Sequence, residues 1–168
     1  MTDSTKAPDA LYRIAPAQPG DEIHLARLIH ELAAYEKLSN ECKVTAEDLR
    51  REIFGPRPSV EVLLAWVGDE PAAYAIYFQN FSTFLGRPGL YLEDLYVRPE
   101  HRRRGLGTAL LKRLARIAVE RNYGRLEWAV LDWNELAKTR YRSLGAAPLE
   151  DWRIWRLTGD TLREFAAS

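Results

Sequence analysis

The chain has 168 residues, of which 46% are hydrophobic and 29% charged, and its formal net charge is zero. This length supports one well-filled core and is short for two ordinary domains. A neutral chain lacks the overall basic charge that attracts nucleic acid or an anionic membrane, so any basic function must be local.

Signals for a membrane, secretion or metal binding are absent from the sequence. No apolar run approaches the roughly 20 residues of a membrane span, and the polar start MTDSTKAPDA has no apolar signal-peptide core. The single Cys42 excludes an intramolecular disulfide, and three scattered histidines do not form a zinc-ligand pattern. We therefore expect a cytoplasmic protein with no metal and no membrane partner.

The first half of the chain predicts a tail, a short strand, two helices and a hairpin. Residues 1–10 are expected to be a disordered tail, followed by a strand over 11–15. Apolar residues at helical spacing from Asp21 predict the first helix. Thr45-Ala-Glu-Asp48 has the spacing of a capping box, which opens a second helix ending near Gly55. Residues 60–67 and 72–78, joined by a Gly68-Asp69 turn, predict the hairpin.

The second half predicts strands over 90–97, 126–131 and 152–157 and helices over 108–122 and 135–144. Gly124 and Gly145 are placed to end these two helices. No internal repeat or linker is visible. The predicted fold is therefore a single α/β (α+β) domain over 11–168, with a mixed, mostly antiparallel central sheet flanked by helices.

The junction VRPEHRRRGLGTALL at 97–111 joins a predicted strand to a predicted helix. Its two glycines let backbone N–H groups approach a ligand closely, and a helix N-terminus carries about half a positive charge. Three neighbouring arginines add to this preference for phosphate. A simpler alternative is that Gly105 and Gly107 only make a turn and that residues 102–104 are a solvated charge run.

Two known phosphate-binding motifs do not fit this junction. A P-loop needs Lys and Ser or Thr after its second glycine, where Thr108 and Ala109 stand instead. A dinucleotide-binding motif needs a third small residue at the position of Leu110 and glycines directly after the strand.

The motif that fits is Arg-x-x-Gly-x-Gly at 102–107, which resembles the pyrophosphate-binding signature of the GNAT superfamily of acetyl-CoA-dependent N-acetyltransferases. Four further segments are similar, in order and spacing, to the spermidine/spermine (diamine) acetyltransferase branch. They are ELAAYEKL at 31–38, LYLEDLYV at 90–97, WNELAKTRYRSLGA at 133–146 and WRL at 155–157. The resemblance spans residues 12–165 and implies the GNAT fold.

The resemblance implies which residues bind acetyl-CoA. The acetyl-CoA arm is expected along the backbone of Leu95, Tyr96 and Val97. Asn134 and Ala137 are also expected to contact the cofactor, although Asn134 is alternatively the cap of the following helix. The pyrophosphate is expected on Arg102, Arg103, Arg104, Gly105, Leu106, Gly107 and Thr108.

The resemblance also implies an acceptor site. Glu93 is expected to face the amine, and the other expected substrate-binding residues are Tyr35, Glu36, Asp94, Glu127 and Trp128. Adjacent residues of a strand point to opposite faces, so at most one of Glu93 and Asp94 should line the cleft, and we choose Glu93. Glu36, near a helix end, is alternatively a solvated charge.

Catalysis is expected to use Glu93 and Tyr141. An alkylamine with a pKa of about 10.4 is almost fully protonated at pH 7, so Glu93 would accept its proton directly or through water. The neutral amine would then attack acetyl-CoA in a ternary complex, and Tyr141, the general acid that the resemblance implies, would protonate the CoA thiolate. Without the resemblance, Tyr141 would be interpreted as a packing aromatic.

Three departures from the branch bear on the substrate. Phe84 stands where Trp is expected, Arg140 replaces an apolar residue, and Arg153 stands where a carboxylate would help to bind a long polycation. A short diamine or a lysine-like amino acid such as thialysine therefore fits at least as well as spermine. Other open alternatives are a GNAT enzyme for a protein N-terminus or an aminoglycoside, and a non-enzymatic nucleic-acid-binding module. The branch implies a homodimer, and we expect no nucleic-acid partner.

Overall fold

The computed structural model describes residues 12–168, and the predicted tail over 1–10 lies outside the described residues. In chain order its elements are β1 (Arg13–Pro16), α1 (Glu22–Tyr35), α2 (Ala46–Phe54), β2 (Glu61–Val67), β3 (Glu70–Ser82), β4 (Arg87–Val97), a 3-10 turn (Pro99–His101), α3 (Leu106–Glu120), β5 (Leu126–Trp128), α4 (Glu135–Ser143) and α5 (Gly159–Ala167). The chain forms two compact units, one ending at Ala129 and the other running from Val130 to Ser168. A single domain over 11–168 stays a prediction.

The first unit contains a five-stranded sheet in the order β1-β2-β3-β4-β5. Neighbouring strands are antiparallel except β4 and β5, which are parallel, so the predicted mixed and mostly antiparallel sheet is confirmed. Strands β3 and β4 extend beyond their predicted ends because Gln79 and Asn80, which interrupt the apolar pattern, continue the ladder opposite Leu90 and Gly89.

Helices α1 and α2 cover one face of the sheet. Leu25, Leu28 and Leu32 of α1 are buried in one core with residues of the strands. The predicted capping box of α2 is confirmed, since the Thr45 and Asp48 backbone N–H groups each donate to the other residue's side chain at 3.1 Å. This face is called the α1 face below, and its strand residues include Tyr74, Ile76 and Tyr96.

Helix α3 covers the opposite face. Its leucines Leu106, Leu110 and Leu114 are buried. A Cβ added to Gly107 would lie 3.5 Å from Val97 Cγ2 and 3.8 Å from Leu95 Cδ2, so the first turn of α3 packs over the end of β4. Side chains therefore alternate at this end of β4, with Leu95 and Val97 toward α3 and Tyr96 toward α1. No helix among residues 12–168 combines the length and apolar character needed to cross a bilayer.

Arg98 connects three elements directly after β4. Its side chain is largely buried, and its guanidinium donates to Glu31 of α1 at 2.6 and 2.9 Å. A third N–H donates to Glu70 at the start of β3 at 2.6 Å, and the Arg98 backbone N–H donates to the Ala72 carbonyl at 3.0 Å. A buried cation with this many charge-assisted hydrogen bonds has little freedom, so the chain leaves β4 in a defined direction.

Two predicted helix ends and the predicted strand over 126–131 can be compared with the structure. Gly145 follows α4 with a φ of 88°, as predicted, but after α3 the left-handed residue is Asn122, at a φ of 55°, rather than Gly124. Gly124 is instead needed for close approach, because an added Cβ would lie 3.1 Å from Leu85 Cδ1. Strand β5 ends at Trp128 rather than at Leu131, because its pairing with β4 stops at Leu92.

The predicted strand over 152–157 is wrong, and α5 was not predicted. The segment has the apolar side chains of a strand, yet Trp152, Ile154 and Trp155 are exposed. A strand exists only where a neighbour completes its ladder of hydrogen bonds, and the ladders of the described residues do not include this segment.

Candidate active site

The chain enters α3 through a bend that contains two left-handed residues. Arg103 has a φ of 61° and Gly105, the residue before the helix, a φ of 79°. A left-handed non-glycine residue costs roughly 1 kcal/mol, so the rest of the loop must hold Arg103 in place. Within residues 12–168, no side chain caps α3 and its first turn contains no acid. The helix start therefore presents backbone N–H groups and the positive end of its dipole, an arrangement that suits an anion.

The three arginines of the loop have different environments. Arg103 and Arg104 are exposed, whereas Arg102 is half-buried and its Nε donates to the Val97 carbonyl at 2.9 Å. The Arg102 Cζ lies 4.7 Å from the centroid of the Tyr35 ring and 5.8 Å from that of Tyr96. Arg102 therefore connects the loop to the end of α1 through two cation–π contacts, so it is not part of a solvated charge run. Arg103 and Arg104 have the exposure that a phosphate contact requires.

The end of β4 has a strand neighbour on one side only. β4 pairs with β3 up to Val97, but its register with β5 covers Leu90 to Leu92 and no further. From Glu93 to Val97, the backbone groups that point toward β5 therefore lack a strand partner within residues 12–168. Such an edge accepts another extended group by hydrogen bonding. The predicted acetyl-CoA-binding residues Leu95, Tyr96 and Val97 lie in this stretch.

A bulge in β4 changes which way its acids point. Asp94 lies opposite Ile76 and Leu92 opposite Tyr77, so Glu93 is an extra residue without a partner on β3. Asp94 is on the α1 face, like Ile76 and the neighbouring Tyr96. Leu92, two residues earlier, is on the α3 face. The regular alternation that placed Glu93 and Asp94 on opposite faces therefore fails at this point.

Asp94, on the α1 face, lies in the field of two other carboxylates of the first unit, Glu93 and Glu36. Burial, together with the negative charges of Glu93 and Glu36, raises the pKa of Asp94 to about 6. Burial also raises the pKa of Glu36, at the end of α1, so Glu36 is more than a solvated charge. Glu93 itself is exposed at the bulge. We call Glu36, Glu93 and Asp94 the acid cluster, and its negative potential favours a cationic ligand.

The predicted substrate residues outside this cluster have other surroundings. Glu127 pairs with Arg125 at 2.8 Å and accepts a hydrogen bond from Asn80 Nδ2 at 3.0 Å. Trp128 is half-buried at the end of β5, opposite Leu92. Their roles in substrate binding stay predictions. Among residues 12–168, no group of three or more His, Cys, Asp or Glu is arranged to hold a metal ion.

The remaining predicted residues belong to the second unit. Asn134 caps α4, since its Oδ1 accepts a hydrogen bond from the Ala137 N–H at 3.2 Å, which confirms the capping alternative. Tyr141 lies half-buried near the end of α4, and burial raises the pKa of its phenol above the ordinary value. The predicted cofactor contacts of Asn134 and Ala137 and the catalytic role of Tyr141 stay predictions.

Two features of the site were not predicted from the sequence, the bulge at Glu93 and the buried Tyr74 behind Asp94. The only sign of the bulge in LYLEDLYV is a pair of adjacent acids inside an apolar strand. Such a pair does not by itself predict a bulge. Tyr74 did have a signal. It is a polar-tipped aromatic in the otherwise apolar segment PAAYAI, a residue type that seeks a hydrogen-bond partner when buried.

The chain is similar to known proteins in sequence and in fold. The model of the acetyltransferase (GNAT) family matches residues 26–146. A thialysine N-epsilon-acetyltransferase from Bos taurus is 39% identical over an alignment of 168 positions, gaps included. The alignment covers 94% of this chain and 98% of that protein. An L-ornithine N5-acetyltransferase from Arabidopsis thaliana is 30% identical, covering 90% of this chain and 86% of that protein. Among solved structures, an integron cassette protein from V. cholerae superposes with a TM-score of 0.81 at 26% identity, covering 95% of this chain and 99% of that one.

We predict that Asp94→Asn stabilises the protein at pH 7. The pKa of Asp94 is raised in the folded state, so stability is lost as the pH rises from the unfolded pKa of about 3.9 to the folded pKa of about 6, and a neutral amide avoids this loss. The gain should be roughly 2 kcal/mol in the free energy of unfolding at pH 7 and should nearly vanish at pH 3, below the pKa of the carboxyl in both the folded and the unfolded state. Urea unfolding at the two pH values measures it.

The control for this prediction is Asp48→Asn. Hydrogen bonds from Thr45 lower the pKa of Asp48, so its carboxylate stabilises the fold and its loss should destabilise the protein at pH 7. Equal stability of wild type and Asp94→Asn at pH 7 would show that the Asp94 charge is compensated in the folded protein.

We predict that Gly107→Tyr abolishes acetyl-CoA binding and leaves the fold intact. The added side chain would leave the helix toward Leu95 and Val97, over the open end of β4, and would block backbone approach to the pyrophosphate. Gly107→Ala adds only a Cβ at ordinary contact distance and should lose much less affinity. Calorimetry with acetyl-CoA measures both variants, and wild-type affinity in a folded Gly107→Tyr variant would contradict the loop assignment.

Proposed function

Because the chain belongs to the acetyltransferase (GNAT) family, and is therefore an acetyl-CoA-dependent N-acetyltransferase, we propose that its acceptor is a small cationic amine. The proposed acceptors are a diamine or polyamine and a lysine-like amino acid such as thialysine. The observation that carries this proposal is the acid cluster, whose three carboxylates suit an ammonium group. The thialysine and ornithine acetyltransferases among its relatives act on amines of this type by name.

The chain has suitable groups for each part of acetyl-CoA, which supplies the thioester. The uncapped start of α3, with Arg103 and Arg104 beside it, suits the pyrophosphate. The open edge of β4 from Leu95 to Val97 offers hydrogen bonds to the extended arm. A backbone N–H of the same stretch holds the carbonyl oxygen as it gains negative charge in the transition state. Asn134 and Ala137 are proposed as further cofactor contacts.

The proposed reaction moves protons between named groups. A carboxylate of the acid cluster, for which the sequence predicts Glu93, accepts one proton from the ammonium nitrogen, directly or through water. The free lone pair then forms a C–N bond at the thioester carbonyl, and the C–S bond breaks. Tyr141 donates its phenolic proton to the leaving sulfur and regains a proton as the nitrogen releases its second one. Ammonium and thioester thus give amide, thiol and one proton to water.

A homodimer and a cytoplasmic location belong to the same proposal. The exposed apolar side chains of Trp152, Ile154 and Trp155 support a second copy as partner, because an unpaired apolar segment is a usual contact surface between chains. The single cysteine supports a reducing compartment. Membership of an acetyltransferase family favours the enzyme over the alternative of a nucleic-acid-binding module.

A CoA-release assay across a panel of amines tests the acceptor class. The full chain should use thialysine, lysine, ornithine, putrescine and spermidine with a kcat/KM at least tenfold above that for an N-terminal peptide or an aminoglycoside. An interaction of roughly 1.4 kcal/mol with the ammonium group produces this ratio. Activity that is highest on an uncharged arylamine, on the peptide or on the aminoglycoside would contradict the proposal.

We predict that Tyr141→Phe lowers turnover by roughly a hundredfold to ten-thousandfold, the usual effect of losing a positioned general acid. Acetyl-CoA affinity and stability should change little, because the ring remains. The defect should shrink as the pH rises toward the thiol pKa of about 8.5, where a thiolate leaves more easily without a proton. Tyr123→Phe, which removes a hydroxyl bound to Gln79 at 2.8 Å, is the matched control. Turnover within a few fold of wild type would leave Tyr141 as a packing residue only.

A further inference from the structure

Tyr74 is a fully buried tyrosine in the middle of β3, on the α1 face. Its side chain is 0% exposed, and its hydroxyl has no hydrogen-bond partner of standard geometry among residues 12–168. An unpaired buried hydroxyl costs roughly 1–3 kcal/mol, whereas phenylalanine would fill the same space without that cost. A native structure that carries such a group has a reason for it in most cases.

The hydroxyl faces Asp94. Tyr74 lies opposite Tyr96, and the next residue of β3 on this face, Ile76, lies opposite Asp94, so Tyr74 and Asp94 are diagonal neighbours. Burial and then the charges of Asp94 and Glu36, with a smaller effect from Cys42, raise the pKa of Tyr74. In return the Tyr74 hydroxyl lowers the pKa of Asp94, which burial, Glu93 and Glu36 raise. Each group therefore lies in the electrostatic field of the other.

We propose that Asp94, rather than the neighbouring Glu93, takes the proton from the acceptor amine, and that Tyr74 is the positioning residue that holds Asp94 for this step. This inference rests on the proposed function, since it requires an amine acceptor. Asp94 is half-buried and backed by Tyr74, so the Tyr74 hydroxyl can donate to one carboxylate oxygen and leave the other for the amine. Glu93 is exposed at the bulge, where its charge attracts the ammonium.

The proton step is simple and balanced. One N–H bond of the ammonium breaks, an O–H bond forms on Asp94, and the electron pair stays on nitrogen for attack. The proton passes to water after the product leaves. Catalytic hydrogen bonds are often long before the substrate binds and shorten in the complex, so the unpaired Tyr74 hydroxyl has its partner ready at Asp94.

The pH at which Asp94 titrates distinguishes a positioning role of Tyr74 from a packing role. With a pKa of about 6, Asp94 is ionised at pH 7 and is a stronger base than an ordinary aspartate. The hydroxyl of Tyr74 is a donor that favours the ionised form. Its removal should raise the pKa of Asp94, so that the carboxylate is lost at a higher pH as the solution is acidified. A purely structural role of Tyr74 would not move this titration.

The experiment compares Tyr74→Phe with wild type in amine kcat/KM across pH 5 to 9, with lysine or thialysine as the amine. The acidic limb should move to higher pH by about half a unit or more, the effect of losing one hydrogen bond to a carboxylate. Acetyl-CoA affinity should stay the same. The control is Tyr77→Phe, in the same strand and also buried, whose hydroxyl donates to Glu61 at 3.3 Å on the α3 face. An unmoved limb in Tyr74→Phe, or an equal shift in the control, would overturn the inference.

Two further measurements complete the test. A carbon-13 NMR titration of the Asp94 carboxyl should show a higher pKa in Tyr74→Phe, and this readout needs no activity. It therefore distinguishes failure of the Tyr74–Asp94 pairing from failure of the proposed function, which would show as no acetylation of any cationic amine by wild type. Asp94→Asn should lower kcat by about a hundredfold or more, and Glu93→Gln should chiefly raise the amine KM. The reverse pattern would assign the proton to Glu93 and overturn the inference.

Discussion

Glu93 is inserted in β4 without a partner on β3, and the strand continues beyond it with its two faces exchanged. Before the bulge Leu92 packs on the α3 face, and after it Asp94 lies on the α1 face. The parallel pairing with β5 also stops at Leu92, so the end of β4 has an open edge. A single extra residue thus places acids beside the end of α1 and leaves backbone groups available directly behind them.

The charges of the first unit are divided between two places, although the whole chain is neutral. Exposed Arg103 and Arg104 stand at the positive end of α3, and the acid cluster stands at the bulge. Arg102 lies between them and is held by the Val97 carbonyl and the Tyr35 ring. This separation suits a reaction between an anionic cosubstrate and a cationic acceptor, because each end of the site attracts one of them.

Two groups at the acid cluster destabilise the fold, and the hydrogen bonds of Arg98 nearby offset part of this loss. The half-buried Asp94 has a raised pKa, and the Tyr74 hydroxyl has no hydrogen-bond partner of standard geometry in the part of the chain that the structure describes, so both groups destabilise the folded state. Arg98, with hydrogen bonds to Glu31 and Glu70, holds α1, β3 and the end of β4 around these groups. Destabilising groups such as Asp94 and Tyr74 inside a rigid part of the fold are typical of sites where function and stability compete.

The sequence by itself determined the elements whose signals are local. Capping at Thr45, the apolar spacing of α1 and α3, the turn at Gly145 and the glycine-arginine loop all follow from neighbours a few residues apart. Tertiary structure alone decided the bulge at Glu93, the direction of Asp94, the inward Arg102 and the early end of β5. Each of these depends on which strand or ring lies opposite, and pairing across the sheet is set by packing of distant segments rather than by the residue itself. The apolar segment 152–157 is not a strand for the same reason. Its side chains favour a strand, but a ladder of hydrogen bonds also needs a partner strand.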